Sequence, residues 1–189
     1  MIIFDKIYQN PMNRLILVAI LSFILNACSD NSFIINDTSV GPLTDNTHIY
    51  ELPQLFKGDS LAARRIEGDS LIGEVELYDT NGNVRMIVFP KDETDPKSTL
   101  SYLRIIDPKF TTKDGLGVAS TFGAFKSRCE VAGLDNAINA VVISFKDTPW
   151  YITIDKKELP ENVRYNYASK IELAQIPDEA KIKYFFYSW

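Results

Sequence analysis

The strongest constraint on the fold is a pair of alternating apolar segments, residues 71–78 and 84–89, flanking Asp79-Thr80-Asn81-Gly82-Asn83. Asn-Gly tolerates the positive φ that a two-residue type I′ turn needs at both central positions, and such a turn joins antiparallel strands. With Asn81-Gly82 as the loop, Leu77 meets Met86 and Val75 meets Val88 on one face, while Tyr78 meets Arg85 and Glu74 meets Phe89 on the other. A slip of one residue would send the apolar set to solvent, so the pattern selects this pairing.

Further strands are expected at 100–106, 140–145, 150–154 and 181–187, the middle two joined across Lys146-Asp147-Thr148-Pro149. Alternation in the last sends Ile182, Tyr184 and Phe186 to the core and Lys181, Lys183, Phe185 and Tyr187 the other way. Phe185, Tyr187 and Trp189 are then either covered by the N-terminal segment or a contact patch for a partner. Helical pattern is confined to 121–132, with Ser120 or Thr121 placed to cap it, and a further turn is expected at 55–65. The fold class expected is α+β: a single domain, mainly antiparallel β-sheet with one or two short helices.

Ahead of this domain, residues 15–25 form an uncharged apolar run preceded by Arg14 and followed by Asn26-Ala27-Cys28. A helix rises about 1.5 Å per residue and needs roughly 20 apolar residues to span a bilayer, so this run fits the core of a cleaved signal peptide instead. Leu25-Asn26-Ala27-Cys28 resembles the lipobox of bacterial lipoproteins, and the resemblance implies diacylation of Cys28 and cleavage before it. A plain secretory signal would want a small-x-small site, which Leu25-Asn26-Ala27 lacks. Met12 offers a second possible start. Ser29-Asp30-Asn31-Ser32 resembles the acidic export tags of Bacteroidota surface lipoproteins, with fewer acidic residues than usual. Together these imply an outer-membrane lipoprotein of the cell envelope, on the periplasmic face or the cell surface. The plan is a signal peptide over 1–27, a lipidated Cys28 with a polar tether over 28–47, and a globular domain over 48–189.

Net charge of −5 and a pI near 5.0 argue against nucleic-acid binding, which depends on clustered Lys and Arg. Removing residues 1–27 takes away Lys6, Arg14 and Asp5 and makes the remainder one unit more acidic. With Cys28 acylated, Cys129 has no disulfide partner and is expected to be a small buried apolar residue.

Other chemistry-bearing patterns are weak. Gly-Asp-Ser-Leu occurs at 58–61 and again at 68–71, matching the letters of the GDSL esterases. A serine nucleophile needs an imidazole to take its proton, and the single histidine, His48, precedes both copies, so turn chemistry is the better reading. Asp79, Asn81 and Asn83 alternate like the opening of a calcium loop, but Gly82 is one place early and Pro90 stands where the closing Glu belongs. One His and one free Cys do not furnish a zinc site, and no metal or cofactor is expected. Asp92, Glu93 and Asp95 form an acidic loop that reads as solvated charge, with Asp69, Glu74 and Glu76 near it in sequence.

Residues 110–121, Phe-Thr-Thr-Lys-Asp-Gly-Leu-Gly-Val-Ala-Ser-Thr, resemble a segment of uncharacterised bacterial lipoproteins and periplasmic proteins that introduces a short helix. Ala119 stands where that pattern has Gly. The resemblance implies a fold neighbourhood and no activity. The function expected is a membrane-anchored, non-enzymatic envelope module that binds a protein or glycan partner or has a structural role. The alternative is an envelope hydrolase using carboxylates or Cys129.

Overall fold

The predicted hairpin supplies the second and third strands of an eight-stranded antiparallel sheet. The structure, a computed structural model, describes residues 31–68, 70–164 and 171–189. The signal peptide, Cys28, the export-tag residues 29 and 30, and Asp69 lie outside the described residues. Strands β1 to β3 are Ile34–Ile35, Ser39–Val40 and Leu43–Thr44, followed by helix α1, Leu52–Leu55. Strands β4 to β8 are Ser60–Glu67, Ser70–Tyr78, Val84–Pro90, Leu100–Ile105 and Thr111–Thr112. Helix α2 is Phe122–Lys126, strands β9 to β11 are Val131–Asn136, Ala140–Phe145 and Trp150–Asp155, helix α3 is Glu161–Arg164, and β12 is Ile182–Ser188. The large sheet has the order β4-β5-β6-β7-β12-β11-β10-β9, and a small one has the order β3-β2-β1-β8. The α+β class and the mainly antiparallel sheet are as expected. The last strand is a central one, so the sheet is complete only when the chain's C-terminal residues insert between β7 and β11.

The hairpin keeps its core pairs, Val75 with Val88 and Leu77 with Met86, but reaches them by a different turn. Gly82 alone in the loop has positive φ, at 81°. The Gly82 N–H donates to the Asp79 carbonyl (3.0 Å) and the Asp79 N–H to the Asn83 carbonyl (2.9 Å), a three-residue loop with Gly in the left-handed position. The Asp79 carboxylate accepts from the N–H groups of Asn81 and Asn83, which explains the alternating Asp and Asn without a metal and holds its carboxyl below the usual range. Tyr78 therefore faces Val84 instead of Arg85, and the register slips by one at Arg85 to restore the apolar pairs. The extra residue sends its guanidinium to Asp59 (3.0 Å) and Asp107 (4.0 Å) and lies 5.3 Å from the centroid of Phe33.

One face of the large sheet is covered by the small sheet, α1, α2, α3 with the preceding Leu159, and the segment 171–180, with a single apolar cluster between. Residues expected to form a tether are part of it: Ile35, Val40 and Leu43 are 2%, 0% and 0% exposed. The compact unit is Ser32–Trp189, so the domain begins sixteen residues before the expected boundary at 48. Two-residue strands carry too little periodicity to be legible among Asn, Asp, Ser and Thr.

Two further expectations are corrected. The helix spans Phe122–Lys126 only, and its leading N–H groups at Phe122 and Gly123 donate to the carbonyls of Ala180 (2.9 Å) and Asp178 (2.8 Å), with no side-chain cap from Thr121. The rest of 121–132 turns and starts β9, where pairing with β10 outcompetes helix for Val131, Ala132 and Gly133. Most of 55–65 is the edge strand β4.

Candidate functional site

The C-terminal strand decides which aromatic residues are available to a partner. The register between β11 and β12 shifts at Lys183, so that Thr153 faces Tyr184 while Ile154 faces Ile182. This bulge reverses the parity read from the sequence. Ile182, Phe185 and Tyr187 point into the core, at 7%, 0% and 0% exposure, and Tyr184 and Phe186 point outward. Trp189 lies edge-on to Tyr187 at 4.9 Å and its indole N–H donates to the Thr38 carbonyl (3.2 Å). Phe185 and Tyr187 therefore cannot be a contact patch: Phe185 packs against Phe125 and Trp150, while Trp189 is the residue bonded to the segment expected to be a tether, at Thr38.

The outward face carries a different aromatic set. Phe89 on β6 stacks on Tyr102 on β7 at 4.2 Å and 10°, and Tyr151 on β11 stacks on Phe186 on β12 at 4.9 Å and 10°. Tyr102 and Phe186 close the gap at 6.3 Å, and Tyr184 meets Phe186 edge-on at 6.0 Å. The register accounts for this: Phe89 pairs with Tyr102 and Tyr151 with Phe186, so four adjacent strands present one continuous row. The Arg104 guanidinium and the Lys183 ammonium lie 5.0 and 5.6 Å from the Tyr184 ring centroid. Burial first, and then the charges of Glu74 and Glu93, push the Tyr102 phenol above its ordinary value; burial does the same to Tyr151. Both stay protonated donors at neutral pH. Stacking closes one face of each ring in the pairs Phe89–Tyr102 and Tyr151–Phe186, and the two cations lie over Tyr184.

A polar cleft of about 680 Å³ opens elsewhere, between the β1–β2 turn, residues 112–116 and the β10–β11 turn. Cys129 lines it and is half-buried, not the fully interior residue expected. Burial raises its thiol above the ordinary value, with Asp114 adding to the rise and Arg128 opposing it, so the nucleophilic thiolate is disfavoured. His48 is not among the residues lining this cleft: its ring stacks on Tyr50 and its Nδ1 is bonded to the Lys97 carbonyl. The glycines of 110–121 serve the wall of the cleft. Gly115 has φ of 76°, and a Cβ on Gly117 would sit 2.5 Å from the Phe110 carbonyl oxygen.

The remaining sequence patterns serve local structure. Gly58 has φ of 95° ahead of β4, and Gly68 has φ of 61° in the tight connection between Glu67 and its partner Ser70. The Asp92 carboxylate accepts from Thr94, that of Asp95 accepts from the Lys97 N–H, and Glu93 pairs with Arg64 at 3.0 Å. Among the described residues no cluster of three His, Cys, Asp or Glu side chains could hold a metal ion. The residues missed by sequence reasoning are Phe89, Tyr102 and Tyr151. Their outward parity on expected strands was the available signal.

No protein-family model matches the chain, and no curated protein matches it. Among solved structures it resembles the crystal structure of the uncharacterised protein yfeY from Escherichia coli, with a TM-score of 0.50 and 13% identity over 81% of this chain and 97% of that one. At that identity the likeness concerns the fold.

Proposed function

We propose that the protein is a non-enzymatic envelope lipoprotein, held to the outer membrane by acyl chains on Cys28, whose domain binds a protein partner through the outward face of β6, β7, β12 and β11. The observation that carries this reading is the row Phe89, Tyr102, Phe186 and Tyr151, an apolar ridge tipped with phenols across four strands of a rigid sheet. Half-exposed Tyr and Phe on such a scaffold are what protein interfaces concentrate, because they bury large area at small entropic cost.

The test is a photo-crosslinking amino acid at position 151 in the native membrane. The reading predicts one discrete adduct that disappears when Phe186→Ala is added and is absent with the same probe at Glu179, an exposed position away from the row. Adducts of equal yield at both positions, or none at 151, would count against it.

A further inference from the structure

The chain between Cys28 and the folded body is short, and this determines which end of the domain meets the bilayer. Phe33 is fixed: its ring lies edge-on to Phe110 at 5.1 Å, with the Arg85 guanidinium at 5.3 Å and the Lys109 ammonium at 5.7 Å from its centroid. Cys28 precedes it by five residues, so at most about 18 Å of extended chain separates the two Cα atoms. The sheet end beside Phe33, where β6 begins and β7 finishes, is thereby kept close to the membrane, given the acylation proposed above.

Antiparallel pairing brings three more segments to that same end: the turn 137–139 between β9 and β10, the exit of β11 at Asp155, and the start of β12 at Ile182. Three strand spacings, about 14 Å, separate β6 from β11. At this end lies a hollow of about 640 Å³ lined by Asp155, Lys156, Lys157, Arg164 and Lys183, with Ile138 at its lip. One carboxylate faces four basic side chains, in a chain whose net charge is −5. Asp155 is already engaged by Lys183 at 2.8 Å. Arg164 donates through Nη2 to the carbonyls of Lys157 (2.6 Å) and Leu159 (3.0 Å), and its Nε is buried with no hydrogen-bond partner among the described residues. Lys157 is exposed. Ile138, at 78% exposure, is the most exposed of the large apolar side chains among the described residues.

We propose that this hollow seats the phosphate of an anionic lipid headgroup in the membrane that carries the Cys28 acyl chains, with Ile138 entering the interface. The cations account for a phosphate, and the short link to Cys28 together with the exposed Ile138 accounts for a lipid as its source. The inference rests on the anchoring part of the proposed function and on nothing about the aromatic row.

The experiment uses the protein purified from membranes in nonionic detergent, titrated with dihexanoylphosphatidylglycerol, dihexanoylphosphatidylcholine or inorganic phosphate and followed by amide chemical shifts. The expected result is saturable shifts at 137–139 and 155–157 with the anionic lipid alone. Lys157→Glu weakens binding by about tenfold, and Lys91→Glu, the same charge change at the opposite end of the sheet, leaves it unchanged. An equal response to inorganic phosphate or to the zwitterionic lipid, or an unaltered response in Lys157→Glu, overturns the proposal. The intact mass of the same sample separates the two claims. An acylated Cys28 with no lipid response sinks the site alone, and an unmodified Cys28 with a full response sinks the anchor alone.

Discussion

Tyr187 is wholly buried on a central strand, and its hydroxyl is buried with no hydrogen-bond partner among the described residues. A buried polar atom left unsatisfied costs on the order of 1–3 kcal/mol, so Tyr187→Phe, which removes the oxygen and keeps the ring, is expected to stabilise the fold by about 1 kcal/mol at neutral pH. For a unit of this size that is a rise of roughly 3 °C in melting temperature. Burial, assisted by the charges of Asp37 and Asp45, pushes the phenol up to about 12 from an ordinary 10.0. Between those values the native state holds a proton that the unfolded chain has released, so stability falls as pH rises through the window; below pH 10 the contribution is constant. The wild type should lose about 2 kcal/mol relative to Tyr187→Phe between pH 10 and pH 12, roughly half of it by pH 11. Urea unfolding of both proteins at pH 7, 10 and 11 measures the difference directly. A variant less stable than wild type by 1 kcal/mol at pH 7, or a gap that does not change with pH, would show that the hydroxyl has a partner and refute the reasoning.

Other perturbations probe separate parts of the fold. Leu43→Ala removes a fully buried side chain from the segment whose composition suggests a tether, and should cost about 2–4 kcal/mol in urea unfolding, where a free tether would give no change. Gly117→Ala drives a Cβ to 2.5 Å from the Phe110 carbonyl oxygen, a backbone atom that cannot swing aside, and should lower stability by about 2–3 kcal/mol on the same assay. Cys129 should react with iodoacetamide more slowly than an unfolded-chain cysteine at pH 8, its rate climbing only above the ordinary thiol range; equal rates at pH 8 would show an unshifted thiol.

What the sequence made legible was what local periodicity controls. The pairs Val75 with Val88 and Leu77 with Met86 followed from alternation alone, because burying one face of a hairpin leaves a single satisfactory register. The turn type was misjudged because Asn-Gly serves two loops, and the choice lay with the Asp79 carboxylate bonding to Asn81 and Asn83. β4 was hidden by its place at the sheet edge, where Arg64, Arg65 and Glu67 suit solvent and discourage further pairing. The alternation of the last strand points its aromatic side chains to the wrong faces, since one bulge at Lys183 inverts every side chain after it. No periodic reading of 181–189 contains that bulge, which arises from pairing with β11, about 30 residues away. The cationic hollow draws on four segments separated by up to 45 residues, so its charge balance is invisible along the chain.

The proposed anchor is a thioether at residue 28, and mass spectrometry of the N-terminal peptide from membrane-purified protein tests it most directly. The result predicted is a chain beginning at Cys28 and carrying diacylglycerol on Sγ. A mature N-terminus at any other residue, or an unmodified Cys28 thiol, would contradict it.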